Sequence, residues 1–196
     1  MQRSRVFLDG GLYRAISAER APFYEHLLSA GILEPHAHVA GAIHGVPTVG
    51  LRFFNLYGPL SPYLGVISIF ADRLLRGEPV EIFGDGEQAR DFTFINDAVC
   101  ALRRAMRAAS TSAFVFNVCT GKATSVRSLA QTLAEVCGTE LVVHRRPARC
   151  SQVRISIGDP ERLGFTARTT LSEGLAITLN CLKRMVGSAR VSQLEA

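Results

Sequence analysis

Hydrophobic and polar positions follow two alternating periods from about residue 46 to the end of the chain. Short runs of β-branched and aromatic residues predict strands at 47–54, 80–83, 114–118 and 141–144. Apolar residues spaced three and four apart predict helices between these runs, and a last helix that starts near Thr170. Because strand and helix signals alternate along the chain, the pattern indicates an α/β or a mixed α+β fold.

Turn and capping residues mark the ends of several predicted helices. Gly77 and Gly138 follow the first and the third of them, where glycine favours the left-handed conformation that closes a helix. Thr170 and Glu173 have the Thr-x-x-Glu spacing of a capping box, which predicts the start of the last helix. Residues 91–95 alternate polar and apolar, and this alternation predicts an exposed strand.

The first 45 residues lack a sustained period of either kind. They carry four of the five histidines, and the run from Gly31 to His38 matches neither a helix nor a strand. Gly10 and Gly11 have neither the spacing of a dinucleotide-binding loop nor a predicted parallel strand before them. This part of the chain is therefore predicted to be irregular.

The composition is that of a globular protein. The chain has 196 residues, of which 47% are apolar and 20% are charged, and this balance excludes a disordered tail, a collagen-like fibre and a coiled coil. No uncharged apolar stretch approaches the ~20 residues that a membrane-spanning helix needs. Asp9 interrupts the short apolar run near the N-terminus, so no secretory signal is predicted, and we expect a cytoplasmic protein without a membrane partner.

Cysteine spacing and charge restrict the candidate ligands. The five cysteines include no Cys-x-x-Cys pair, which argues against a structural metal site and a disulfide framework and fits a reducing compartment. The net charge of +5 rests on 22 basic residues, of which only Lys122 and Lys183 are lysines. Arginine suits phosphate groups, although it suits an ordinary solvated surface equally well. The basic residues are scattered and match no nucleic-acid-binding motif, so no nucleic-acid partner is expected.

Three polar clusters are candidate ligand-binding segments. Asn55 follows a predicted strand and precedes Gly58, so its amide would lie at the carboxyl edge of a sheet or would cap a turn. Arg90 follows the flexible turn at 84–86, where it would hold a phosphate or pair with a neighbouring acid. The three arginines within residues 145–149 would form an anion cradle or a solvated loop.

The order and spacing of these clusters are more specific than any one of them. From Val46 to about Thr178 the sequence resembles the C-terminal part of extended short-chain dehydrogenase/reductases of the UDP-glucose 4-epimerase type, the NAD-dependent epimerase/dehydratase family of nucleotide-sugar enzymes. The matching stretches, in chain order, are LRFFNLYGP at 51–59, GVISIF at 65–70, LRGEPVEIFGDG at 75–86, RDF at 90–92, FNVCTG at 116–121, RPAR at 146–149 and LSEGL at 171–175.

The resemblance implies an α/β fold that is the C-terminal remnant of an extended Rossmann-type epimerase. Three regions are then expected along the chain. Residues 1–45 would be the irregular, divergent segment, residues 46–64 the last strand and loop of the Rossmann-type sheet, and residues 65–196 a small α/β substrate-binding lobe.

The resemblance also implies a role for each matching residue. Phe53 would lie beside the nicotinamide of the cofactor, Val66 would offer its backbone to the nucleotide, and Gln152 stands where the family has an aspartate that accepts the ribose hydroxyls. Tyr24 matches the catalytic tyrosine, with Leu28 at the position of its partner lysine. The other implied substrate-binding residues are Phe54 near the sugar, Asn55 at the diphosphate or the sugar, Glu81 and Phe83 at the uracil, and Arg90 and Arg149 at the diphosphate.

Two elements of the family pattern are missing from the sequence. It contains no Gly-x-x-Gly-x-x-Gly phosphate loop and no Tyr-x-x-x-Lys pair. The family cofactor is NAD, but this chain alone is not expected to bind it or to turn over a UDP-sugar. A truncated nucleotide-sugar epimerase or dehydratase is one interpretation. The alternative is a non-catalytic nucleotide-sugar-binding module, or a subunit completed by a separate Rossmann chain; a homodimer is a further candidate assembly.

Overall fold

The computed structural model describes residues 5–9, 39, 41–59, 65–108, 114–147 and 165–194. Its strands are β1 (Arg5–Asp9), β2 (Thr48–Phe53), β3 (Asn55–Tyr57), β4 (Val80–Phe83), β5 (Ala89–Arg90), β6 (Phe92–Phe94), β7 (Phe114–Val118), β8 (Thr124–Ser125) and β9 (Val143–Arg146). Its helices are α1 (Val66–Leu75), α2 (Ile95–Ala108), α3 (Val126–Cys137) and α4 (Leu171–Leu194). Residues 41–44 are also helical and lead into β2. No helix within these ranges is long and apolar enough to cross a membrane.

The chain forms two compact units, and each is assembled from three separate stretches. Unit 1 comprises residues 1–56, 91–122 and 156–168, and unit 2 comprises residues 57–90, 123–155 and 169–196. This division differs from the predicted regions, because residues 91–122 group with β2 rather than with the rest of 65–196. The sheet of unit 1 therefore includes β7, a strand that the sequence assigns to the substrate-binding lobe.

Unit 1 is built on a parallel sheet with the strand order β1-β2-β7. The prediction that no parallel strand precedes Gly10 is wrong, because β1 pairs in parallel with β2 over its whole length. The sequence did not predict β1 because the strand is short. Only Val6, Phe7 and Leu8 are apolar in β1, and a short continuous run of this kind shows no period by which a parallel strand is recognised.

The core of unit 1 lies between β2, β7 and α2. Alternate residues of β2, Val49 and Leu51, pack with Val118 of β7 and with Ala101 and Ala105 of α2. The two alanines are four residues apart on one side of the helix, and their small side chains let the helix approach the sheet closely. Phe165 completes this cluster.

Strand β6 differs from its predicted environment. Residues 91–95 were expected to form an exposed strand, but Asp91 and all three residues of β6 are buried, and α2 begins at Ile95. The alternation is real, but both faces of the strand are covered, so the polar residues are buried as well. The predicted strand at 47–54 also ends earlier, at Phe53, and Asn55 begins β3, which pairs with β6.

Unit 2 combines two small sheets with three helices. Strands β4 and β9 pair in parallel, β5 and β8 pair antiparallel, α1 packs on α3, and α3 packs on α4. The predicted helix ends are confirmed: Gly77 and Gly138 adopt left-handed conformations with φ of 70° and 72°. The predicted capping box is confirmed too, since Thr170 N and Oγ1 donate to Glu173 Oε2 at 2.8 and 2.7 Å.

Gly50 of β2 generates a test of the sheet packing. A Cβ at this position would lie 3.1 Å from Cγ2 of Val115, its register partner on β7. Gly50→Ala should therefore lower the free energy of unfolding by about 1–3 kcal/mol through overpacking. Adding Val115→Ala removes the clashing methyls, so the double variant should be more stable than the sum of the two single effects. Urea denaturation followed by circular dichroism measures all three variants, and strictly additive losses would contradict this packing.

Candidate functional site

The structure describes seven of the ten residues that the resemblance singles out. Unit 1 contains Phe53, Phe54 and Asn55, and unit 2 contains Val66, Glu81, Phe83 and Arg90. Tyr24, Arg149 and Gln152 lie outside the described residues, so their roles stay predictions. The expectation that Arg90 and Arg149 meet at one diphosphate stays a prediction for the same reason.

Glu81 and Phe83 share one side of β4. Val80 and Ile82 are buried on the other side, whereas Glu81 and Phe83 are half-buried. In register, Glu81 is opposite His144 of β9 and Phe83 is opposite Arg146. This side of the two strands therefore combines an aromatic ring, a carboxylate and cationic groups.

The Glu81 carboxylate is occupied by two arginines. Arg146 Nη2 donates to Glu81 Oε1 at 2.8 Å, and Arg73 Nη2 lies 3.6 Å from the same oxygen. The hydrogen bond from Arg146 is the main cause that lowers the pKa of Glu81, and the charges of Arg146, Arg73 and His144 act in the same direction against desolvation. Glu81 thus joins β4 to β9 and to α1, a structural role that the sequence did not indicate.

The loop at residues 84–88, which follows β4, is closed at both ends by hydrogen bonds. Gly84 N donates to the carbonyl of Arg146 at 2.9 Å, which extends the β4–β9 pairing past Phe83. Gln88 Nε2 donates to the carbonyl of Phe83 at 3.1 Å, which returns the far end of the loop to the strand. These two hydrogen bonds hold the start and the end of the loop next to β4 and β9.

The first turn of α3 holds the middle of the same loop. Val126 N donates to the Gln88 carbonyl at 3.0 Å and Arg127 N donates to the Gly86 carbonyl at 3.1 Å. The Arg127 guanidinium adds a bond to the Asp85 carbonyl at 2.7 Å. Backbone N–H groups in the first turn of a helix have no acceptor within the helix. The loop carbonyls are therefore the hydrogen-bond acceptors for the first turn of α3.

Arg90 follows this loop on the short strand β5. The strand pairs antiparallel with β8, with Arg90 opposite Thr124. The half-buried Arg90 side chain donates through Nη1 to the carbonyl of Ala89 at 2.9 Å. The pairing of Arg90 with a phosphate stays a prediction.

Val66 is the first residue of α1. Its N-cap, Gly65, provides no side-chain hydrogen bond, and the helical bonding begins with Ile69 N donating to the Gly65 carbonyl at 3.0 Å. The Val66 N–H therefore belongs to the turn whose donors lack acceptors within the helix. This position suits the predicted backbone contact to a nucleotide without testing it.

The remaining predicted residues lie at the carboxyl end of β2 in unit 1. Phe53 packs against the core cluster, and Phe54 N donates to the Val118 carbonyl of β7 at 3.2 Å. The exposed side chain of Asn55 donates through Nδ2 to the Asp91 carbonyl at 3.2 Å. Asn55 thus has a structural partner in addition to its predicted ligand.

Asp91 is the residue of this region whose importance the sequence did not reveal. It is fully buried, and its carboxylate accepts hydrogen bonds from Thr120 N, Thr120 Oγ1 and Gly121 N. The available signal was its position on the same side of the polar–apolar alternation as Thr93, which is buried too. Polar residues on one side of an alternating strand predict a solvent-facing side. They do not reveal the hydrogen bonds that Asp91 accepts from Thr120 and Gly121, which lie 29 and 30 residues further along the chain.

No metal cluster stands out in the described ranges. No group of three or more His, Cys, Asp or Glu side chains there is arranged to hold a metal ion. Cys119 is buried, and burial raises the pKa of the Cys137 thiol. Their environments are those of packing residues.

Known proteins with similar sequences identify the family. A model of the NAD dependent epimerase/dehydratase family matches residues 33–119. A putative UDP-glucose 4-epimerase of Methanocaldococcus jannaschii is 30% identical over 168 residues, which cover 83% of this chain and 54% of that protein. The chain belongs to the NAD dependent epimerase/dehydratase family. It spans about half the length of this relative.

Solved structures of the epimerase/dehydratase family agree with the fold. UDP-glucose 4-epimerase of Thermotoga maritima, solved with UDP-glucose, is 34% identical with a TM-score of 0.75, over 83% of this chain and 54% of that one. UDP-glucose 4-epimerase of Thermus thermophilus, solved with NAD, is 27% identical with a TM-score of 0.73, over 91% of this chain and 63% of that one. The predicted α/β fold of Rossmann type is thereby confirmed.

The residues of this family member do not fit a complete NAD site. The N-terminal strand β1 is followed by Gly10 and Gly11, and no Gly-x-x-Gly-x-x-Gly motif occurs anywhere in the sequence. Phe53, the residue predicted beside the nicotinamide, packs against the core cluster of unit 1. We therefore derive no hydride-transfer step for this chain.

Gly86 generates a test of the loop at residues 84–88. Its φ is +79°, and a Cβ would lie 3.0 Å from Cγ2 of Ile82, whereas Gly77 has a φ of +70° and open space around it. Both substitutions to Ala should cost ~1–2 kcal/mol for the left-handed backbone, and Gly86→Ala should cost ~1–3 kcal/mol more for the clash. Denaturation midpoints of the two variants measure these costs. Equal losses of stability would contradict the clash, because they would show that the loop shifts to accommodate the added methyl group.

Glu81 generates a pH test. Because its pKa in the folded protein is lowered from 4.5, the stabilisation from its ionised form is present above about pH 4.5 and is lost as the pH falls through the lower folded pKa. Glu81→Gln should therefore make stability less sensitive to acid below pH 4.5 than it is in the parent. Denaturation at a series of pH values measures this difference.

The control for the pH test is the same substitution in an Arg146→Ala background. Arg146 is the main cause of the lowered pKa of Glu81, so the added effect of Glu81→Gln should shrink once Arg146 is absent. An undiminished effect in that background would locate the stabilisation of the carboxylate elsewhere.

Proposed function

We propose that this chain is the substrate-binding portion of a UDP-sugar epimerase or dehydratase of the 4-epimerase type, and that unit 2 binds the uridine diphosphate. The observation that carries the proposal is the loop at residues 84–88. It separates Phe83 from Arg90. Its backbone donates a hydrogen bond to β9 and accepts two from the first turn of α3. Residues at its two ends are thus held in fixed positions before a ligand arrives.

The chemistry at the two ends suits the two parts of a nucleotide. A half-buried phenylalanine offers an apolar face against which a pyrimidine base stacks. A guanidinium offers paired N–H donors that match the oxygens of a diphosphate. Fixing both groups before binding lowers the entropy that association would otherwise cost.

The family comparison supports the same ligand class. The Thermotoga maritima relative was solved with UDP-glucose, and it is 34% identical to this chain. By carrying over that resemblance, we assign Glu81 and Phe83 to the uracil, Val66 to the nucleotide backbone, Arg90 and Arg149 to the diphosphate, and Gln152 to the ribose. Phe54 is assigned to the sugar, and Asn55 to the diphosphate or the sugar.

Cofactor and partner assignments follow from the missing motifs. NAD belongs to the reaction of the family, and this sequence lacks both the glycine-rich loop and the Tyr-x-x-x-Lys pair. We therefore assign nucleotide-sugar binding to this chain and do not assign NAD binding to it. The cofactor half of the reaction would come from a Rossmann-type half outside this sequence, and Tyr24 would act only together with it.

Titration with UDP tests the proposed function. Arg90→Ala removes a charge-assisted contact of ~1.5–3 kcal/mol, so the dissociation constant of UDP measured by calorimetry should rise by roughly tenfold or more. Arg149→Ala should behave in the same way. The matched control is Arg76→Ala, which removes the same charge from an exposed Arg76–Asp72 pair of unit 2 and should leave UDP binding unchanged. Unaltered UDP binding by Arg90→Ala, or no binding by the parent, would refute the proposal.

A further inference from the structure

We propose that Asp91 is a positioning residue of the nucleotide-sugar site, which holds the Asn55 side chain and the Thr120–Gly121 turn together at the carboxyl edge of the parallel sheet of unit 1. The inference rests on the proposed function, and it adds a residue whose part in that function neither its motif nor the family resemblance assigns. Asp91 acts through its neighbours rather than by touching the ligand.

The carboxylate of Asp91 is fully buried and is satisfied by neutral donors. Thr120 Oγ1 donates to Oδ1 at 2.7 Å, Gly121 N donates to Oδ2 at 2.7 Å, and Thr120 N lies 2.9 and 3.1 Å from the two oxygens. A buried carboxylate is costly unless it is well hydrogen-bonded, so this arrangement fixes the turn tightly to Asp91.

Both oxygens of Asp91 have to be acceptors. Each of them receives a backbone N–H, and only a carboxylate offers two acceptor oxygens on one side chain of this length. An asparagine at this position would place an NH₂ group against one of these N–H donors. The turn therefore depends on the two acceptor oxygens of Asp91, and a residue of the same size with only one acceptor oxygen does not replace it.

The main chain of the same residue orients Asn55. The acceptor of the Asn55 amide is the backbone carbonyl of Asp91, at 3.2 Å from Nδ2. A carbonyl can only accept, so the nitrogen of the amide must face Asp91, and Oδ1 is directed away from it. An amide held in this orientation presents Oδ1 as an acceptor, to which a hydroxyl group of a sugar can donate.

The location of these contacts is that of a ligand-binding edge. Strands β2 and β7 are parallel neighbours, Asn55 follows the end of β2, and Thr120 follows the end of β7. Ligands of open α/β sheets bind outside the carboxyl ends of the strands. Asp91 joins the segments after two adjacent strands, so it sets the spacing of the groups at this edge.

The test compares the affinities for UDP-glucose and for UDP, because their ratio reports the contacts of the sugar. We expect the parent to prefer UDP-glucose. Asp91→Asn should weaken UDP-glucose binding by about three- to tenfold, the range that one misaligned neutral hydrogen bond produces, while UDP binding changes much less. Asn55→Ala should lower the preference by a similar factor, and combining the two variants should give little further loss, because both disturb one arrangement.

The matched control is Asp97→Asn. Asp97 is a second buried acid of unit 1, and its Oδ1 accepts the backbone N–H of Arg168 at 3.2 Å. This variant should lower the unfolding temperature without changing the ratio of the two affinities. A general loss of stability is thereby distinguished from a loss of positioning.

A second variant decides the question if Asp91→Asn fails to fold. Thr120→Val removes only the hydroxyl that donates to Asp91 at 2.7 Å, and it should lower the preference for UDP-glucose in the same direction by a smaller factor. An unchanged preference in a folded Asp91→Asn or Thr120→Val variant would overturn the role of Asp91. So would a parent that binds UDP and UDP-glucose equally, whereas a parent that binds neither would overturn the proposed function itself.

Discussion

The first turn of α3 is the constraint on which the proposed nucleotide site depends. A helix begins with N–H groups that have no acceptor within it, and a loop contains carbonyls that need donors. In unit 2 these two requirements are met together, since Val126 and Arg127 donate to the carbonyls of Gln88 and Gly86. Ser125 caps the same helix by accepting from Ser128 N. The loop at residues 84–88 is therefore ordered by backbone chemistry rather than by side-chain packing alone.

This constraint connects the candidate site to the family fold. Glycine is required at position 86 because the loop passes with a positive φ close to Ile82 and Arg127. Charge then connects the neighbouring elements, because Glu81 draws Arg146 of β9 and Arg73 of α1 to one carboxylate. Backbone hydrogen bonds thus support the loop, and ion pairs support the strand that leads into it.

Local signals in the sequence predicted the local structure well. The capping box at Thr170 and Glu173 and the closing glycines were correct because each depends on residues within one turn of the helix. The ordered motifs identified the family for the same kind of reason, since each motif is a short contiguous stretch. What the sequence could not reveal are pairings over long separations, such as Arg146 with Glu81, 65 residues apart, or Asp91 with Thr120, 29 residues apart. Strand β1 was missed because its pairing with β2, and not its own pattern, makes it a strand.

The division of the chain into two interleaved units has a consequence for how the protein is made. Each unit draws on three stretches of sequence, and the last stretch of both lies beyond residue 155. A ribosome must therefore synthesise most of the chain before either unit has all its parts. Contacts between distant stretches also make loop closure slow, so partly made chains expose apolar surface for longer than a chain of consecutive domains would. Because the stretches are interleaved, neither unit can be isolated by cutting the chain at one point.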